Sequence, residues 1–355
     1  MLSTPGVLRY LQTLTHTFAH DGENISAVLI YAKPDPDHDG QYTAVAAADT
    51  GYEGIACVDD TARAVLLALD VYERTHSRQA LGLARSWLTF VEYMQYPDGG
   101  FANFIRNQSG VRNATGATSV RGGYWWAARA LWALARAYRV TGDGRYLERY
   151  QKCHLLPLPD GKINAVLALA ELELYAATGD ASLKAAIEDR CATIIGEADL
   201  PYMLDHPDSG VVNLWGYHQL HAVALAARAL DRPDFLRPCR RTVQNLVRPD
   251  VGALFWYDFP GRRKRGVCAY NVTPIMQGIA AMYRATDAKK YRELALMASR
   301  WFHGRNDANV VMYDASAGTC RDGIQDGQAS ENRGAESAIE AGIAEMERRS
   351  LLAGG

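Results

Sequence analysis

Apolar and polar positions divide this chain into two kinds of helical segment. Segments 60–74, 124–140, 163–177, 217–230, 272–285 and 334–348 are rich in Ala, Leu and aromatic residues on most faces. A helix apolar nearly all round is a buried one, so these six are expected to line the interior. Each of the first five runs into a short polar turn, such as Thr141-Gly142-Asp143 or Thr178-Gly179-Asp180. A more charged, one-sided helix follows each turn, at 79–94, 145–153, 183–195, 235–246 and 289–303. A glycine that closes one helix and an aspartate that caps the next suit a tight antiparallel pair. Residues 7–19 carry Leu8, Leu11, Leu14 and Phe18 on one stripe and supply a helical partner for the last apolar segment.

Six two-helix units with chain ends that complete each other predict an all-α fold, an (α/α)6 toroid of six helical hairpins forming one domain over 1–355. The spacing of the turns is uneven, unlike a regular helical repeat array. The one β-like region, 27–32 and 42–47 around the turn-rich 33–40, predicts a small β-hairpin near the N-terminus. Links within a pair are short and links between pairs are long. The long ones are therefore expected together over the N-termini of the inner helices, where loops on a scaffold carry function.

Composition narrows the partners. With 48% hydrophobic and 22% charged residues and a net charge of -2, nothing draws the chain generally to nucleic acid or anionic membranes. No apolar run reaches the roughly 18 residues of a membrane helix, and the N-terminal residues lack the form of a signal peptide. The six cysteines are scattered without a CxxC pair, so neither a zinc site nor a disulfide framework is indicated. A cytoplasmic enzyme without metal or cofactor is the expectation, and the sequence does not define its oligomeric state. The single basic run, Arg262-Arg263-Lys264-Arg265, reads as a solvated loop.

The chemistry concentrates at Cys57-Val58-Asp59-Asp60-Thr61-Ala62-Arg63, where an irregular segment becomes an apolar helix. An aspartate there can cap the first turn. Two in succession point about 100° apart and cannot share one cap. Asp59 stands nearer the cap position, which leaves Asp60 to face whatever lies above the helix end. Glu331 and Glu336 arrive at the start of the last apolar helix, where Gly334 permits close approach. An ion pair between Glu336 and Arg63 and a capping role for Glu331 are the structural alternatives. Glycosidic cleavage requires one carboxylic acid and a second carboxylate, so Asp59, Asp60, Glu336 and Glu331 are the catalytic candidates.

The other inter-pair segments supply substrate-binding candidates. Asp98 lies in the turn 96–101, whose glycines a turn needs in any case. Arg121, Tyr124, Trp125, Trp215, Tyr217, His218, Tyr270, Asn271 and Arg333 bring cations, amides and flat rings that can stack on a sugar. His218 and His221 lie three apart without the glutamate of a zinc-binding H-E-x-x-H set, so His218 is either a sugar contact or a satisfied core histidine.

With Asp-Asp-Thr-Ala-Arg-Ala at one inner helix and Asn-Arg-Gly-Ala-Glu-Ser at another, the six-pair plan resembles the six-hairpin glycosidase superfamily. It is most similar to uncharacterised bacterial glycosidase-like proteins with Val-Asp-Asp-Asn-Ala-Arg-Ala and Asn-Gln-Gly-Ala-Glu-Ser motifs, from which Thr61 and Arg333 depart. The resemblance spans nearly the whole chain and implies a carbohydrate substrate, with glycoside hydrolysis first and epimerases, phosphorylases and lyases as sister chemistries. Some endo-acting mannanases of that superfamily also use a vicinal Asp pair. Two rival functions remain. Class II terpene cyclases resemble the chain at Val-Asp-Asp-Thr-Ala and at residues 95–101, but here Cys57 replaces the first Asp of their motif. A non-catalytic carbohydrate-binding protein is the other.

Overall fold

The computed structural model describes residues 5–38, 40–45, 53–155, 158–197, 199–264 and 266–354. They fall into two compact units. The first combines Met1–Leu156, Asp314–Asp322 and Glu331–Gly342, and the second Pro157–Tyr313, Gly323–Ser330 and Ile343–Gly355.

In the first unit, α1 (Gly6–Thr13) is followed by β1 (Thr15–His20) and β2 (Glu23–Val28), an antiparallel pair. The single helix expected over 7–19 is therefore cut short. Thr15 and Thr17 are β-branched and favour extended backbone. Asp21 and Gly22 both take positive φ, 49° and 81°, as a two-residue hairpin turn requires. The expected small hairpin is present in shorter form as β3 (Ala32–Pro34) paired with β4 (Tyr42–Ala44); positions 39, 46 and 47 of that expectation lie outside the described residues. β5 (Ala56–Cys57) pairs with β6 (Phe104–Ile105) and feeds α2 (Val58–Thr75). α2 packs on α3 (Arg78–Tyr93) and on α4 (Tyr124–Thr141), which pairs with α5 (Gly144–Lys152). Val65, Leu67 and Leu69 of α2 are wholly buried, as its apolar circumference predicts. The α4–α5 turn is built as expected: Gly142 is left-handed and Asp143 caps α5 through the Arg145 N–H.

The second unit holds α6 (Gly161–Thr178) with α7 (Ala181–Ile195), and α8 (Gln219–Ala229). Here too a left-handed Gly179 ends one helix and Asp180 caps the next. α9 (Leu236–Thr242) continues through a π-turn at Val243–Val247 into α10 (Arg248–Gly252). A single helix was expected over 235–246. Pro249 has no N–H to offer the carbonyl four residues back, and the wider turn absorbs that missing bond. α11 (Ala269–Thr286) and α12 (Lys289–Ser299) form the next pair. α13 (Ala335–Ala353) begins in the first unit and ends in the second. In the basic run, Arg263 pairs with Asp258 and Lys264 with Asp307; Arg265 lies outside the described residues. Among the described residues no helix is long and apolar enough to cross a membrane.

Candidate active site

The start of α2 is held without help from either aspartate. The Val58 N–H donates to the Asn103 carbonyl at 2.8 Å, and the Asp59 N–H to the Asn103 side chain at 3.4 Å. The Asp60 N–H donates to Cys57 Sγ at 3.3 Å, so Cys57 is the N-cap. The expectation that Asp59 occupies the cap is thus corrected: Asn103, reaching over from the loop before β6, takes the bonds a capping carboxylate would accept. Gly54 lets the chain pass this close, because a Cβ there would stand 2.3 Å from the Ile105 carbonyl oxygen.

Relieved of capping, both carboxylates turn to arginines. Asp59 accepts from Arg129 Nε at 3.2 Å and pairs closely with Arg63 Nη2. Asp60 Oδ1 stands 3.0 Å from that same Nη2. From α13, Glu336 Oε2 reaches Nη2 at 3.2 Å and Glu340 Oε1 reaches Nη1 at 3.3 Å. Arg63 and Arg129 are each 1% exposed. One buried guanidinium therefore joins four carboxylates from two helices. The spacings follow from helix geometry: Asp59 and Asp60 precede Arg63 by a turn, and Glu336 and Glu340 are one turn apart on one face.

The four acids are not equivalent. Burial would raise the Asp59 carboxyl, but Arg63 and Arg129 together hold it below the usual carboxylate range. Asp60 is pushed up to about 7 by burial, with the Glu336 and Asp59 charges adding to it and Arg63 pulling against it. Burial likewise takes Glu340 to about 7, against both arginines. Only the Glu336 side chain is open to any extent, 27% exposed against 5% for Asp60. Asp322 accepts from the Gly334 N–H at the head of α13, and burial lifts it to about 6, with Glu336 adding to the rise. The cluster thus holds an ionised Asp59, two acids that carry protons near neutral pH, and an accessible carboxylate. Among the described residues no group of three His, Cys, Asp or Glu side chains is disposed to hold a metal ion.

The remaining candidates of the first unit lie in other settings. Glu331 is 70% exposed and pairs with Arg321 at 2.6 Å instead of joining the cluster. Asp98 and Arg121 pair with each other, both about half exposed, with Arg121 over the Tyr96 ring at 4.8 Å. Tyr124 and Trp125 open α4 half-buried, and the Trp125 ring stands 5.9 Å from the Arg129 guanidinium. Arg333 donates to Thr319 Oγ1 at 2.6 Å and lies over the Tyr42 ring.

In the second unit, Trp215 meets Tyr270 edge to face at 4.8 Å, and the His218 ring is 5.9 Å from both Tyr270 and His221. Lys162 donates to the Trp215 carbonyl at 2.7 Å. Two candidates belong to the packing. Tyr217 is wholly buried with its hydroxyl donating to the Met203 carbonyl at 2.8 Å. Asn271, also wholly buried, accepts from the Cys268 N–H at 3.0 Å in the cap of α11.

Sequence reasoning missed Arg129, Glu340 and Asn103. The first two had a signal, since a charged residue inside an otherwise apolar helix has to find a buried partner. Asn103 had none, because its role depends on where a loop distant in sequence comes to rest.

No family model and no curated protein matches this chain. Solved structures do. A sugar epimerase from a ruminal bacterium superposes with a TM-score of 0.71 at 13% identity, over 98% of this chain and 96% of that one. Cellobiose 2-epimerase from Bacillus thermoamylovorans gives 0.69 at 13%, over 96% of both chains. An α-1,6-mannanase of glycoside hydrolase family 76 from Salegentibacter sp. gives 0.65 at 12%, over 98% of both. That mannanase was solved as an inactive variant, two consecutive aspartates replaced by asparagine, with α-1,6-mannotriose bound. At these identities the likeness shows the fold: all-α, of the (α/α)6 toroid class, with small antiparallel strand pairs.

Proposed function

We propose that this chain is a carbohydrate-active enzyme that cleaves a glycosidic bond with Asp60 as proton donor and Glu336 as the second carboxylate. The observation that carries this reading is the convergence of both side chains on Arg63 Nη2, Asp60 buried and Glu336 partly open. An acid that keeps its proton near pH 7 can protonate a leaving oxygen, and a carboxylate across from it can attack the anomeric carbon. Arg63 holds the two in place, while Asp59 ties Arg63 to Arg129. The matched mannanase, inactive without its consecutive aspartates, supports a role for the Asp59–Asp60 pair.

Contact with one nitrogen at 3.0 and 3.2 Å keeps the nearest oxygens of the two side chains within about 6 Å of each other, a close approach of the kind that retaining glycosidases use. On this reading Glu336 serves as the nucleophile, and retention of the anomeric configuration is the expected outcome. The test is turnover of neutral oligosaccharides by Asp60→Asn and Glu336→Gln. Each should lose at least about two orders of magnitude in kcat. Normal rates in both would remove the cluster from the chemistry.

A second reading, epimerisation beside a sugar carbonyl, is favoured by His218 and His221 on one helix start with ring centres 5.9 Å apart. Two of the matched structures are sugar epimerases. Neutral imidazoles can remove and return a proton. This reading predicts exchange of a substrate carbon-bound hydrogen with solvent, abolished by His218→Asn and untouched by Asp60→Asn.

A further inference from the structure

Within the second unit, a cavity of about 430 Å³ opens between the α9–α10 segment and α12. From one side come Arg240, near the end of α9, and Arg248, the first residue of α10. In an unbroken α-helix, eight residues would carry Arg248 about 80° round from Arg240. The π-turn at Val243–Val247 is wider, so each of its residues advances by less, and both arginines reach one cavity. From the other side α12 presents Lys290, Glu293, Leu294 and Met297, spaced three and four apart on one face.

The cations of this wall lack counter-charges. Arg240, Arg248 and Lys290 are exposed, and among the described residues none of them meets a carboxylate; Lys290 has only the Tyr291 ring, at 5.1 Å. Cations beside the cavity are matched. Arg237 and Arg241, also on α9, lie 3.5 and 3.7 Å from Asp199, and Arg232 lies 2.9 Å from Glu188. Glu293 is the one carboxylate in the cavity wall. Like charges gathered in this way repel, and an anion between them relieves the repulsion.

The excess of two positive charges selects the anion. A phosphate monoester carries about -1.5 to -2 at pH 7, roughly twice the charge of a carboxylate. The arginine fork also matches phosphate oxygens two at a time. Beyond the cations the wall is apolar, with Val243, Leu294 and Met297. The volume is that of a ligand pocket and admits one ring beside the phosphate.

We infer that this cavity binds a phosphate monoester of a single-ring compound, the phosphate between Arg240, Arg248 and Lys290 and the ring against Val243, Leu294 and Met297. The carboxylate cluster takes no part, so the site stands or falls independently of the proposed reaction.

The test is isothermal titration calorimetry of the full chain at low salt with phenyl phosphate, mannose 6-phosphate and inorganic phosphate. The tighter ester should bind once per chain and at least about tenfold better than inorganic phosphate. Which ester it is tells an aromatic ring from a sugar ring. Arg240→Gln and Arg248→Gln should each weaken it by about tenfold, the equivalent of one lost hydrogen bond to a charged group. Glu293→Gln should strengthen it, because the only carboxylate of the wall is gone. Arg237→Gln, which removes a cation of α9 outside the cavity, should leave it unchanged. No saturable binding of either ester up to about 10 mM, weaker than a specific site, would overturn the inference. So would inorganic phosphate binding as tightly as both esters, binding that the Arg240 and Arg248 variants leave intact, or an equal loss in Arg237→Gln.

Discussion

Asp60 and Glu336, 276 positions apart in the chain, meet at a single nitrogen: Arg63 Nη2 lies 3.0 Å from one carboxylate and 3.2 Å from the other. Three carboxylates cannot all be charged around one buried cation at little cost, and Asp59 holds its charge most firmly because Arg129 supports it. Of the three, Asp60 is the one whose carboxyl burial raises to about 7, with the Glu336 and Asp59 charges adding to the rise. The acid of the proposed reaction is selected by its neighbours more than by its own position in the helix.

Removing Arg63 should expose that balance. Arg63→Met leaves four carboxylates without their shared cation, and breaking a buried ion pair costs about 3–5 kcal/mol. Its melting temperature should fall well below that of the parent at pH 7.5. The deficit should shrink toward pH 5, where protonation removes the repulsion. A deficit constant with pH would mean that Arg63 acts through packing alone.

The vicinal aspartates should respond differently to substitution, though neither does so as a cap. Asp59→Asn strips a charge from two buried arginines and should destabilise by about 3 kcal/mol or more. Asp60→Asn replaces an acid that with a value of about 7 is already about half protonated at neutral pH, so it should cost much less stability than Asp59→Asn while turnover is lost. Thermal melts and rates on the same four proteins, with Ala at each site alongside Asn, separate these outcomes. Equal destabilisation by both Asn variants would contradict the assignment.

In the proposed reaction Asp60 also sets the pH profile. As the proton donor it is competent below its value of about 7 and incompetent above it, so kcat/KM should fall as pH rises through 7. A profile flat from pH 6 to 9 would place the proton elsewhere.

A structural counterpart lies in the second unit. Asp250 is wholly buried and accepts from the Trp256 N–H at 2.7 Å. Burial takes its carboxyl from 3.8 to about 8, only partly opposed by that bond and by Lys264. A folded-state value above the unfolded one means that its contribution is whole below pH 4 and is lost as pH rises through 8. Asp250→Asn cannot ionise and should gain on the parent between those limits, by at most about 1.4 kcal/mol per pH unit. Melting curves at pH 4, 6 and 8 should show the gap widening. A gap that narrows with pH would reverse the sign of the account.

Much of the fold was legible in the pattern because the inner helices announce themselves by apolar residues on all faces, and the Thr-Gly-Asp turns have one good geometry. The β1–β2 hairpin was not, since Leu8, Leu11, Leu14 and Phe18 continue a helical stripe across what becomes a strand; the Asp21-Gly22 pair was the overlooked signal. In the cluster, Asp59, Asp60 and Glu336 are the acids the sequence singles out as catalytic candidates, and the Arg63–Glu336 ion pair weighed as their structural alternative is present. Their division of labour was not legible, because it depends on Arg129 from another helix and on Asn103 from a distant loop. Tyr217 and Asn271 look like sugar contacts in sequence for the reason that they serve the packing: each has a polar group that reaches a backbone partner.

The most direct test follows neutral oligosaccharides, including α-1,6-mannotriose and cellobiose, by 1H NMR in D2O with the parent chain, Asp60→Asn and Glu336→Gln. New reducing ends should appear with the anomeric configuration of the substrate, no deuterium should enter the sugar carbons, and both variants should be silent. Deuterium at the carbon beside the reducing carbonyl, without cleavage and undiminished in Asp60→Asn, would contradict the account and move the chemistry to His218.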